Sequence, residues 1–185
     1  MNHTTKTQLF DFYERFKNLW QAEKNSLPQA FFDPSWISPC QIGEVENHLI
    51  HWSPVKRESA IDLSNIEQAL DIKLHPSIVD FFCSAYSAGL PAVYQGHPIE
   101  LIQVWNEDDF HLLQENMIAH FMMQDRLKKP ASMFIASCSD EMQIVSVLNE
   151  TGQVQLETLG KGQEAILAET LADFLDALTP AIEHE

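Results

Sequence analysis

A chain of 185 residues with 45% hydrophobic side chains is long enough for one domain with a sizeable core, and too apolar for a disordered segment. Its 27 acids against 11 bases give a net charge of −16, so no basic stripe is available for nucleic-acid phosphates and adsorption to anionic lipid is disfavoured. The charge is uneven, with 10 acids and 1 base in residues 131–185. A basic protein surface is the partner such a field attracts, although plain solubility also accounts for it.

The polar N-terminus lacks a signal-peptide core, and no apolar run is long enough to span a bilayer. Cys40, Cys83 and Cys138 are odd in number and far apart, which fits free thiols in a reducing cytosol better than a disulfide framework.

In chain order, Thr4 to Lys24 reads as an amphipathic helix, with Leu9, Phe12, Tyr13, Phe16, Leu19 and Trp20 on one face. Pro28, Pro34 and Pro39 make residues 26–40 irregular, packed by Phe31, Phe32 and Trp36. Leu49 to Trp52 reads as a strand closed by Pro54. A helix follows over Ile61 to Asp71, with Leu63, Ile66, Ala69 and Leu70 inward. His75-Pro76 opens another helix, whose inner face holds Ile78, Val79, Phe82 and Tyr86 and which Gly89 stops.

Ala92 to Tyr94 and Ile99 to Val104 form a hairpin around Gln95-Gly96-His97-Pro98. The long helix after Asn106 buries Phe110, Leu113, Met117, Ile118, Phe121 and Met122. Asn106 is its N-cap, with Asp109 three residues on as in a capping box. Glu107, Asp108 and Asp109 stand where the helix dipole favours anions. Arg126, Lys128 and Lys129 stand at the other end, and Pro130 stops the helix. Three strands follow at Met133–Ser137, Gln143–Leu148 and Val154–Leu159, with turns near Asp140 and over residues 149–152. Glu169 to Leu178 closes the chain as a helix with Leu171, Phe174, Leu175 and Leu178 inward. Consecutive strands with helices at both ends predict an α+β fold, mainly antiparallel sheet flanked by helices, in a single domain over residues 1–185.

Chemistry is scarce. His48-x-x-His51 in a strand puts its rings on opposite faces, and His111, Glu115 and His120 have no matching ligand set elsewhere, so no metal is expected. His120 lies toward the apolar side of the long helix and reads as a hydrogen-bonded core histidine. No nucleophile elbow, phosphate loop or dinucleotide fingerprint is present, and no cofactor is expected. Gly160-Lys161-Gly162 lacks the strand-to-helix context of a phosphate cradle. Cys83 sits in an apolar helix and reads as buried and inert. Cys40, after Ser38-Pro39, reads as exposed but has no basic neighbour to activate it. The adjacent acids Asp108 and Asp109, or Asp140 and Glu141, suit acid–base work, but such pairs arise by chance among 27 acids. A binding protein is the better reading than an enzyme, with a small hydrolase using a carboxylate pair as the rival.

The runs Trp105-x-Glu107-Asp108-Asp109-Phe110, Gln114-Glu115-Asn116-x-Ile118-x-His120 and Arg126-Leu127-Lys128-x-Pro130 resemble those of the Syd family, the SecY-interacting proteins of gammaproteobacteria. Ser38-Pro39-Cys40, Phe134-Ile135-Ala136, Val145-Ser146-Val147 and Glu157-Thr158-Leu159-Gly160 also fit, over a likeness running from about residue 8 to 180. The resemblance implies a SUKH-like fold, related to immunity-type binding modules. It also implies a cytoplasmic protein held peripherally on the inner membrane by SecY, whose basic cytosolic loops it binds through an acidic concave surface. On that reading it monitors or limits translocon assembly without inserting into the membrane. An immunity-like module for another basic protein, such as a toxin, is the alternative.

The residues expected to line part of the acidic face are Glu100, Trp105, Glu107, Asp108 and Asp109, with Glu115 at the margin. Glu100 is placed there by its position alone. The same three first-turn acids also serve an ordinary helix start, and Trp105 fits either a core position or an aromatic anchor beside them.

Overall fold

The structure is a computed structural model that describes residues 3–58 and 61–182. In chain order the elements are α1 (Thr5–Lys24), β1 (Gln29–Phe31), β2 (Gln41–Glu46), β3 (Leu49–Trp52), β4 (Val55–Lys56), α2 (Ser64–Leu70), α3 (Pro76–Cys83), β5 (Ala85–Tyr86) and β6 (Leu90–Tyr94). They continue with β7 (His97–Leu101), α4 (Glu107–Arg126), β8 (Ser132–Cys138), β9 (Gln143–Leu148), β10 (Val154–Thr158), β11 (Gly162–Ala168), α5 (Leu171–Ala177) and β12 (Thr179–Pro180). The fold is α+β. Its main sheet has seven antiparallel strands in the order β11-β10-β9-β8-β7-β6-β12, beside a three-stranded sheet β1-β3-β2 and a short ribbon β4-β5.

Local signals set most boundaries. The Thr4 hydroxyl accepts the Thr7 N–H at the start of α1, and Asn25 ends the helix in the left-handed region. His75 caps α3 through Nδ1, with Pro76 at the first helical position. Gln95 and Gly96 both take positive φ, the two-residue turn that joins β6 to β7 with Tyr94 opposite His97.

The two faces of the main sheet differ. One carries Leu90, Ala92, Tyr94, Ile99 and Leu101, all buried, and Phe174 of α5 packs on Tyr94 with centroids 5.0 Å apart. The register Pro91↔Glu100↔Ser137↔Ile144↔Glu157 gives a row on the other face. That face is exposed at Glu100 and Ser137 and covered at Glu157. There α4 lies against β8, with His120 edge-on to Phe134 and Gln124 bonded to Ser132.

Several expectations need correction. The third helix ends at Cys83 rather than Gly89, because the chain turns into β5, where the Ser84 carbonyl accepts the Arg57 N–H; Tyr86 is therefore a strand residue. The 26–40 segment contains β1, and Phe31 is 73% exposed on its outer side, stacked on His48. His48 is not in a strand, since Asn47 and His48 form the left-handed turn between β2 and β3. α2 starts at Ser64, where Asp62 accepts the Ser64 N–H, and Ala69 is exposed. Met122 is 54% exposed. Cys40 is fully buried, and burial raises its thiol pKa. Gly160 and Lys161, by contrast, agree with expectation, lying in the loop between the strands β10 and β11 and not in a strand-to-helix turn.

Candidate partner-binding surface

The six expected surface residues fall into four environments. Trp105 and Asp109 are structural. The Asn106 side chain accepts the Asp109 N–H at 2.8 Å, and Asp109 Oδ2 accepts the Trp105 N–H at 2.7 Å. The two caps secure each other much as in a capping box. Asn106 Nδ2 also donates to the Ile37 carbonyl at 2.9 Å, and the Trp105 indole N–H donates to the Trp36 carbonyl at 3.1 Å. The Trp105 ring meets Trp52 edge-on at 6.0 Å. Trp105 is therefore a half-buried wedge that fastens residues 36–38 to the start of α4.

Glu107 is partly committed. Its Oε2 accepts Arg57 Nη2 at 3.1 Å and the Tyr86 hydroxyl at 2.6 Å. The Arg57 guanidinium is sandwiched between the Tyr86 ring at 4.3 Å and the Phe110 ring at 4.4 Å. This clamp ties the β4-β5 ribbon to the first turn of α4. Nothing near Arg57 in sequence signals it, since its partners are 29 residues or more away.

Asp108 and Glu115 face solvent. They are seven residues apart, two turns of helix, and so share one side of α4. His111, Leu112 and Met122 are exposed on the same helix, which makes its outer side acidic at the start and partly apolar toward its end. Sequence reading placed Met122 in the core and so missed this apolar component.

Glu100 stands elsewhere, on the open face of β7. It lines a groove of about 410 Å3 with Trp52, Leu49 and Trp20, and a neighbouring one of about 370 Å3 with Val93 and Ser137. None of the four expected acids on α4 lines either groove. Trp52, in contact with Trp105, is the link between the groove and the helix start. Glu100 is the one acid among the residues lining these two grooves, so they give a two-carboxylate hydrolase no support.

The remaining chemical candidates also have structural places. Asp140 accepts the Met142 N–H in the β8–β9 turn. Burial pushes the Cys83 thiol up to about 12, which suits an inert side chain. His120 is buried as expected, and its pKa is lowered by that burial, but its Nε2 has no hydrogen-bond partner among the described residues. Beneath it, Glu157 Oε2 accepts Ser132 Oγ, Ser146 Oγ and Gln155 Nε2, an arrangement that no sequence signal announced. Among the described residues no group of three or more His, Cys, Asp or Glu side chains could hold a metal ion, and no helix is long and apolar enough to cross a membrane.

Comparison with known proteins matches residues 6–180 to the family described as Syd protein (SUKH-2). The chain belongs to the Syd family. It is 84% identical over 182 residues to Protein Syd of Psychromonas ingrahamii, covering 98% of this chain and 99% of that one. Protein Syd of Yersinia pseudotuberculosis serotype O:1b is 40% identical over 182 residues, covering 98% and 99%. Protein Syd of Aliivibrio salmonicida is 37% identical over 174 residues, covering 94% and 95%. The Syd match covers the whole of α4 and of β7.

Proposed function

We propose that the protein is a binding protein, not an enzyme, that recognises the basic cytosolic loops of the SecY translocation channel through an acidic surface. It would thereby sit peripherally on the cytoplasmic side of the inner membrane and monitor translocon assembly. Membership in the Syd family supports SecY as the partner, and the charge supports the mode of attraction. Cytoplasmic loops of membrane proteins carry excess lysine and arginine, and a chain at −16 is steered toward them. The observation that carries the reading is the outer side of α4, where Asp108 and Glu115 stand beside exposed Leu112 and Met122. Such a surface combines charge steering with apolar contact. Glu100 adds an acid on the sheet side. Glu107, Asp109 and Trp105 hold the surface in place.

Charge reversal separates these roles. The double variant Asp108→Lys, Glu115→Lys touches no hydrogen bond or ion pair described above and should stay folded, its thermal midpoint lowered only by the few degrees that a cation on the first turn of α4 costs. Its affinity for SecYEG should fall by at least about tenfold, the equivalent of 1.4 kcal/mol. Unchanged SecYEG binding by this folded variant would remove α4 from the interface. The SUKH-2 kinship favours a second reading, an immunity-like module on which another basic protein takes the same surface. A pull-down that recovers such a protein and no SecY would favour it.

A further inference from the structure

α4 carries a seam that the fold leaves open. Asp108, Leu112, Glu115, Ala119, Met122 and Arg126 are all exposed and follow one another in steps of four, three, four, three and four residues. That is the spacing of the positions through which one helix of a coiled coil meets another. Leu112 is 49% exposed and Met122 54%. His111 and Asn116 are exposed on either flank, so a second helix can reach the seam.

The seam is complementary to itself when reversed. Its two halves mirror about the level of Met117. A two-fold axis there sets two copies antiparallel and pairs Asp108 with Arg126, Leu112 with Met122 and Glu115 with Ala119 of the second copy. An acid then meets a base at both ends, ~27 Å apart along the helix. Among the described residues neither the Asp108 nor the Arg126 side chain has a hydrogen-bond or ion-pair partner. Antiparallel pairing also sets the positive end of one helix dipole beside the negative end of the other. Nearer the centre Leu112 and Met122 supply apolar contact, and Ala119 leaves room for the Glu115 stem. A parallel pair would set Asp108 against Asp108 and Arg126 against Arg126, and like charges repel.

We propose that the outer side of α4 is an interface between two copies of this chain, an antiparallel helix pair held by Leu112–Met122 contacts and by an Asp108–Arg126 ion pair at each end. One helix face per copy makes a small interface, and the two Glu115 residues stand ~6 Å apart along the axis, so the dimer is weak. The net charge of −16 opposes it, but in physiological salt a screening length of ~8 Å confines that opposition to the nearest acids. The dimer covers Asp108 and Glu115, so a second copy and a basic partner compete for one surface. This consequence alone rests on the binding reading above.

Sedimentation velocity of the full-length protein between about 10 μM and 1 mM, in physiological salt, reads the association. Wild type should pass from monomer to dimer and no further, since a two-fold contact closes. Asp108→Arg and Arg126→Asp should each weaken the dimer by at least about tenfold. An equimolar mixture of the two single variants should associate within about threefold of wild type, because every acid then meets a base across the axis. Circular dichroism checks the fold of each. NMR of wild type needs no variant. The Met122 methyl signal should shift with concentration and that of Met142 should not, although Met142, in the β8–β9 turn, is equally exposed. A protein still monomeric at about 1 mM, a mixture no tighter than either variant alone, association past the dimer, or no shift at Met122 would overturn the proposal. No step uses SecYEG. Failure of SecYEG binding therefore leaves the dimer standing, and a monomer that binds SecYEG removes the dimer alone.

Discussion

Replacing Glu107 by alanine would take the anion away from a buried cation. The Arg57 side chain is 1% exposed and lies between two aromatic rings, with Glu107 accepting its Nη2 at 3.1 Å. A hydrogen bond to a charged group contributes about 1.5–3 kcal/mol, and removing one partner of a fully buried pair costs about 3–5 kcal/mol. The Glu107 side chain is itself 55% exposed, so water reaches the vacated position and the lower range applies. Glu107→Ala should therefore lower the unfolding free energy by about 2 kcal/mol. Arg57→Met has a different balance. It gives up two cation–π contacts of about 1 kcal/mol each. It also removes Nε and Nη1, which are buried without hydrogen-bond partners among the described residues, and it leaves Glu107 in water. Its net effect should stay within about 1 kcal/mol. Urea unfolding followed by circular dichroism measures both, with the m-value checked for constancy. If Arg57→Met proves the more damaging of the two, the reasoning about this clamp is wrong. The asymmetry matters for function: weakened SecYEG binding by Glu107→Ala would report a loosened α4 start as much as a lost contact.

The polar cluster under α4 gives further expectations. Glu157→Ala leaves Ser132 Oγ, Ser146 Oγ and Gln155 Nε2 without their shared acceptor in a buried site, and should destabilise by at least about 3 kcal/mol in the same urea assay. A change under 1 kcal/mol, on the order of the effect of one ordinary hydrogen bond, would contradict the role given to Glu157. His120 tests the pH dependence. Burial lowers its pKa, so below about pH 6.5 the unfolded chain takes up a proton that the folded chain resists. Its contribution is therefore present above that value and lost as pH falls through it. His120→Gln should flatten the fall in stability between about pH 7 and 5, and an unaltered slope would rule this out. Asn106→Ala removes both the N-cap and the bond to Ile37, so it should lower stability by about 2 kcal/mol. A thermal midpoint equal to wild type would deny the cap its importance.

Elements whose signals are local were legible in the sequence. The Asn106–Asp109 cap, Pro76 at the start of α3 and the Gln95-Gly96 turn each follow from residues within a few positions of one another. β2 was not legible because residues 42–46 are all exposed and show no alternation of burial. β11 is an edge strand with the same lack of contrast, and β4 and β5 have two residues each. Gly89 was read as a helix stop, yet the helix ends six residues earlier and the glycine instead makes room for Glu100 on β7. The candidate site divides in the same way. That acids gather at the start of α4 could be read directly. That Glu107 pairs with Arg57, that Asp109 is turned onto the Trp105 backbone, and that Asp108 and Glu115 face solvent depend on contacts between distant segments.

The most direct test of the SecY reading is binding of the purified full-length protein to SecYEG in nanodiscs, at low and at high salt, with empty anionic nanodiscs alongside. The expected result is binding to the SecYEG discs alone, weakening as salt screens the acidic surface from the basic loops. Equal binding to empty discs, or no binding at low salt by a protein shown to be folded, would contradict it.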